Sequence, residues 1–271
     1  MSEEKIQRIL LRKILFRVDF QFIPESIQDD IFKFAIQNYG QYFSYRTSEQ
    51  ERAISIEVDA SNFEQPRTDA KMQNVFVLSE QKTQSTDGRR LKIGKTFIFL
   101  EIDFNIESMN IQYSEIFQHV IDYAKESFNG MFRPVRVGLR KFNRFLLYHQ
   151  DLDMLDKIFV DSFFDNIDNT YTLKKCNAVK TYELGEYTLN YINEYDTGVL
   201  QQDEEEVIGH LISFDFDIYS LKEDTVNRLN NNIWSDMGQH IYNFYSGIIR
   251  EEVVNALKTD NGWREYKIIT Y

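Results

Sequence analysis

Residues 14–22, ILFRVDFQF, alternate strictly, and that pattern does more than any other to limit the fold. Ile14, Phe16, Val18, Phe20 and Phe22 fall on one face of an extended chain, and Leu15, Arg17, Asp19 and Gln21 on the other. A strand of this kind needs a sheet around it and a layer of apolar side chains over one face. Pro24 opens a helical pattern to about residue 38, with Ile27, Ile31, Phe32, Phe34 and Ala35 as its apolar side. Strands are predicted at 53–59, at 74–80 and, as one long element, at 91–104. A helix follows at 112–129, stopped by Gly130.

After Pro134 the same order returns. VRVGLRKFNRFLL reads as a strand, and residues 151–165 as a helix with Asp151 at its cap. TYTLKKCNAV, YTLNYINEY and VIGHLISFDFDIYS read as strands, with QQDEEE as an acidic loop before the last of them. A long helix from about Thr225 to Lys258 is predicted, with a break near Gly247, and the tail GWREYKIITY reads as a final strand. The expected fold is α+β: duplicated βαβββα units over about 1–133 and 134–271, tightly packed, each an antiparallel sheet with helices on one face. Three local matches support the repeat. Glu101-Ile102-Asp103-Phe104 answers Asp215-Phe216-Asp217-Ile218. Gln118-His119-Val120 answers Gln239-His240-Ile241, and Arg17-Val18 answers Arg136-Val137.

Charge and cysteine content narrow the function classes. The 271 residues carry 31 Lys and Arg against 43 Asp and Glu, a net charge of −12. Of this, −3 lies in residues 1–133 and −9 in the remainder. Such acidity disfavours nucleic acid and anionic membrane as partners, and no apolar run is long enough to span a bilayer. Cys176 is the only cysteine, so no internal disulfide forms, and the N-terminus does not read as a secretory leader; a cytoplasmic protein is expected. The nucleotide and hydrolase signatures G-x-x-x-x-G-K-[ST], G-x-G-x-x-G and G-x-S-x-G are absent. His119, His149, His210 and His240 are too widely spaced for a zinc helix motif. No cofactor and no catalytic residue is assigned.

The most informative run is RPVRVGLRKFNR, residues 133–144. On a strand, Val135, Val137 and Leu139 face one way, and Arg136, Gly138, Arg140, Phe142 and Arg144 the other. No acidic residue occurs from Ser127 to Gln150. Three arginines on one face admit three readings. They can form a polar seam with Glu101 and Asp103 or with Asp215 and Asp217, a bidentate anion site around Gly138, or a surface for a partner protein. Convergence of Arg136 and Arg140 over Gly138 requires a carboxylate there, Glu101 or Asp103 first, or a bound anion. Asp215 and Asp217 are also the weak metal alternative, as hard cations take carboxylates. TDGRRLKIGK, with Arg89, Arg90, Lys92 and Lys95, is a second basic patch, expected at a solvated hairpin tip.

The R-x-G-L-R-x-x-N-R pattern of Arg136, Gly138, Leu139, Arg140, Asn143 and Arg144 resembles the hallmark of a sporadically distributed bacterial protein family of unknown function. Its members have about this length, with the signature near mid-chain. They often carry Tyr after the second arginine, where this chain has Lys141. The resemblance adds Asn143 to the candidate site. A patchy distribution implies an accessory gene, of the kind carried by defence or mobile systems. The leading expectation is therefore a non-enzymatic binding module with a protein partner or a second copy of itself. The alternative is a sensor or enzyme acting on a phosphorylated ligand or nucleic acid at the arginine strand.

Overall fold

The structure, a computed structural model, describes residues 10–57, 67–80, 88–103, 112–128, 130–160, 175–202, 205–257 and 264–268. Its strands are β1 (Leu11–Phe20), β2 (Tyr45–Glu57), β3 (Arg67–Ser79), β4 (Arg89–Ile93), β5 (Phe97–Asp103), β6 (Pro134–Tyr148), β7 (Lys175–Leu184), β8 (Tyr187–Gln202) and β9 (Glu205–Ser220). Its helices are α1 (Glu25–Tyr39), α2 (Tyr113–Ser127), α3 (Leu155–Ile158), α4 (Glu223–Asn227), α5 (Asn231–Ile248) and α6 (Glu251–Leu257), with a 3₁₀ turn at His149–Met154. The chain is α+β, and its strands join in the order β2-β3-β4-β5-β1-β6-β9-β8-β7, antiparallel throughout the registered pairs.

Two compact units divide the chain. One is built on Phe16–Ile102 and Gln112–Val137, the other on Gly138 onward together with β1 up to Leu15 and Asp103. In the first, the alternation of β1 buries Phe16, Val18 and Phe20. The strand stops at Phe20, because the Gln21 N–H donates to the Arg133 carbonyl at 2.9 Å and the Ile23 N–H to that of Lys95 at 2.9 Å. The chain turns there, and Phe22 is left 66% exposed instead of continuing the apolar face. The Pro24 carbonyl then accepts the N–H groups of Ile27 and Gln28, starting α1. Ile27, Ile31 and Ala35 of α1 and Phe117, Val120, Ile121 and Ala124 of α2 are buried, and the two helices contact each other. Gln28 is fully buried and ties α1 to the sheet, its Nε2 donating to the carbonyls of Asn74 (2.9 Å) and Ile93 (2.8 Å).

The predicted single strand over 91–104 is a hairpin. Gly94, Lys95 and Thr96 turn the chain between β4 and β5, closed by the Gly94 N–H donating to Phe97 at 2.8 Å. A Cβ on Gly94 would stand 2.7 Å from the Phe97 ring, which is why glycine occupies this turn. Arg89, Arg90 and Lys92 therefore lie on a strand instead of at a loop tip.

In the second unit, α5 covers β9 and β8. Trp234, Met237, Ile241 and Tyr245 recur at helical spacing and are buried, opposite Ile212, Phe214, Phe216 and Ile218, all fully buried. Asn230 caps α5, its side chain accepting from the Asn232 N–H. The long helix expected from 225 to 258 is three helices. The second break falls at Ile249, not Gly247: Ile249 is extended and bridges Phe159, the Val160 N–H donates to the Ile248 carbonyl, and the Arg250 N–H to that of Ile158. Backbone pairing with another segment replaces the helical bonds at that point. The acidic run QQDEEE is largely strand, since β8 extends to Gln202 and β9 begins at Glu205. In the tail, Arg264–Lys267 form a turn and Ile268 is buried but in no strand, in place of the expected strand; residues 262–263 and 269–271 lie outside the described residues. The helix expected over 151–165 is instead a 3₁₀ turn followed by α3, which ends at Ile158 before the extended Phe159; its residues 161–165 lie outside the described residues. No described helix is long and apolar enough to cross a membrane.

Candidate functional site

The arginine strand is β6, and its alternation is the predicted one. Val137 and Leu139 are buried on the core face, while Val135, at the strand's end, is 44% exposed. Arg136, Gly138, Arg140, Phe142 and Arg144 occupy the opposite face. Asn143, grouped with them by the resemblance, is on the core face and 3% exposed. Lys141 shares that face. Its Nζ lies 3.6 Å from where a Cβ on Gly238 of α5 would be, an ordinary contact distance that places the Lys141 side chain against that helix.

Each arginine on the strand has a partner, and the partners differ. Arg140 grips Asp215 of β9 with a two-pronged contact: Nε donates to Oδ1 at 2.7 Å, and the second bond joins NH2 to Oδ2. The Asp215 side chain is 10% exposed and that of Arg140 is 47% exposed. This bond raises the Arg140 pKa above its usual value, burial opposing, with the charges of Asp215 and Asp217 adding to the rise. Arg144 lies over the Phe142 ring at 4.9 Å, and its Nε donates to Ser213 Oγ at 3.3 Å. In the other unit, Arg136 donates to Asp19 Oδ2 at 3.3 Å. Asp19 also accepts from Arg17 Nε at 2.8 Å.

The acids nominated alongside these arginines also hold bases of their own. Glu101 accepts from Arg90 NH2 at 2.7 Å across the β4–β5 pair, with both side chains mostly buried. Lys13 stands 3.3 Å from Asp103. Asp19 and Ser213 are the partners that sequence reasoning did not nominate. Both sit at alternate positions on the polar face of their strands, so the strand period itself carried the signal. The weak metal alternative finds no support in the geometry: Asp215 is occupied by a guanidinium, and no cluster of three or more His, Cys, Asp or Glu side chains able to hold a metal ion occurs among the described residues.

A polar cleft of about 360 Å³ opens elsewhere in the second unit, between the β7–β8 turn and the start of α5. Glu186 there accepts from Thr225 Oγ1 (2.5 Å) and Arg228 NH2 (2.6 Å), and Tyr187 donates to Asp236 at 2.7 Å. The hydrogen bond from Thr225, aided by Arg228, lowers the Glu186 pKa. Burial, with Asp236 as acceptor, raises that of the Tyr187 phenol. Nothing in the sequence marked this cleft, because its residues come from a turn and two helix ends brought together only by folding. No family model matches the chain, and no curated protein matches it.

Proposed function

We propose that this chain is a non-enzymatic interaction module that works with a protein partner, as an accessory component of a bacterial defence or mobile system, in the cytoplasm. The Arg140–Asp215 pair carries the reading. A guanidinium fork already closed on an internal carboxylate is a structural tie, and a ligand phosphate would have to displace that carboxylate to use it. Arg136 on Asp19 and Arg144 on Ser213 extend the same use of the strand. The source of the system rests on the resemblance of Arg136–Arg144 to the bacterial family's hallmark.

Internal duplication is part of this proposal, and four observations support it. With β2 set aside, the strand order reads β3-β4-β5-β1 and, in reverse, β6-β9-β8-β7, the same succession from each opening strand. A short helical segment, the 3₁₀ turn and α3, lies between β6 and β7 where the repeat requires one. The matched helices also repeat a side-chain bond: Gln118 donates to Asp122 at 2.7 Å and Gln239 to Asn243 at 2.8 Å, each four residues on. His119 and His240, the residues after the two glutamines, each pack edge-on to a tyrosine, Tyr39 and Tyr187 respectively.

The half-exposure of Arg140 favours the second reading, a sensor or enzyme for a phosphorylated ligand. Thermal melts with inorganic phosphate and a nucleotide panel separate the two. The interaction module predicts unchanged melting of the wild type. A rise that disappears in Arg140→Ala selects the sensor. Affinity capture from the source bacterium, with a partner lost on surface substitution but retained in Arg140→Ala, supports the module.

A further inference from the structure

β7 ends the strand order, and among the described residues no further strand pairs with its outer edge. Lys175, Cys176, Asn177, Val179, Lys180, Thr181 and Glu183 are exposed, Val179 by 64%. A long, exposed edge strand offers a row of backbone groups to another chain unless its side chains forbid pairing. The β7 side chains weigh against some registers and favour one.

Gly185 and Glu186 connect β7 to β8 as a two-residue turn, with Gly185 at φ +67° and Leu184 paired to Tyr187. The pair flanking such a turn is hydrogen-bonded. Leu184, Tyr182, Lys180, Ala178 and Cys176 thus spend their N–H and C=O groups on β8, and Glu183, Thr181, Val179, Asn177 and Lys175 turn theirs to the outer edge. A two-fold antiparallel partner must then pair odd residues with odd ones. Centring on Lys180 sets two lysines opposite each other. Centring on Thr181 sets Val179 against Glu183. Centring on Val179 places Lys175 opposite Glu183, Asn177 opposite Thr181, and Val179 opposite itself; Lys175 also reaches Asp196 of β8 and Asn177 reaches Glu194, and the copy adds opposite charge at both ends and apolar contact at the centre. On the other face, Lys180 then meets Ala178 and no like charge.

We propose that a second copy of this chain docks on β7, antiparallel and in register about Val179, forming a two-fold dimer by strand addition. This goes beyond the partner role proposed above and stands on the edge strand alone; a failure here leaves the capture and phosphate tests of that role unaffected.

Sedimentation equilibrium tests it. The wild type should dimerise reversibly. Lys175→Glu and Glu183→Lys should each raise the dimer dissociation constant about tenfold or more, since each puts two like-charge pairs across the axis. An equimolar mixture of the two variants should recover wild-type association, because opposite charges then meet at both ends. Lys180→Glu should change little. Melting curves for each variant check that the fold persists, as expected for exposed positions. A wild type that stays monomeric to high concentration, reversals without effect, or a mixture that fails to associate would overturn the proposal.

Discussion

Two faces of one sheet region, both built by β6 and β9, serve different ends. On β9, Phe214 and Phe216 alternate with Ser213 and Asp215; the aromatic pair is sealed under Tyr245 and Phe244, and the polar pair meets Arg144 and Arg140. The same strand thus supplies packing on one side and a directional polar lattice on the other. Most of the stability is expected from the first side. The second fixes how β6 and β9 line up, because a two-pronged guanidinium contact tolerates little slip.

The largest expected effect breaks the packed side. Phe214→Ala empties a fully buried site shared by the rings of Phe145, Phe159, Tyr191 and Tyr245, and should cost about 3–5 kcal/mol in chemical denaturation. On the polar side, Arg140→Ala leaves Asp215 buried without its partner. A fully buried pair would cost about 3–5 kcal/mol to break, but half of the Arg140 side chain is in solvent. Screening reduces the expected loss to about 1–2 kcal/mol. Arg136→Ala, at a longer, one-pronged contact to an acid more exposed than Asp215, should cost about 1 kcal/mol or less.

The packed side also carries a removable liability. The Tyr245 hydroxyl is buried with no hydrogen-bond partner among the described residues, and burial raises its pKa. Tyr245→Phe should leave stability unchanged or raise it by about 1 kcal/mol, since an unsatisfied polar group is removed without loss of shape. The smallest effect is in the first unit. Arg89 lowers the Glu80 pKa below its usual 4.5 through a side-chain bond, so that pair adds stability above this pH and loses it as pH falls through the folded-state value. Glu80→Gln should flatten acid unfolding below pH 4.5 by no more than about 1 kcal/mol, as Glu80 is more than a third exposed.

Period-two alternation made β1, β6 and β9 legible, and with them the assignment of Arg136, Arg140 and Arg144 to one face. It could not say which neighbours those arginines would meet, because partner choice depends on strand order. The Gln118-His119 and Gln239-His240 match pointed to helices that the structure contains, with the same local side-chain bond in each. Where the sequence misled, tertiary contacts overrode local pattern. Phe22 fits the alternation but lies past the turn set by Gln21 and Ile23, and Ile249 interrupts a helical run because Phe159 takes its backbone. The Gly94 turn inside 91–104 was readable, as KIGKT carries a glycine between two strand-like runs.

A double-mutant cycle on Arg140 and Asp215 tests the structural role of the arginine strand most directly. Arg140→Ala, Asp215→Ala and the double variant would be compared by denaturant unfolding, with and without inorganic phosphate. The predicted result is a coupling of about 1 kcal/mol or more and no stabilisation of the wild type by phosphate. Additive losses near zero, with phosphate stabilising the wild type but not Arg140→Ala, would contradict it and make the strand a ligand site.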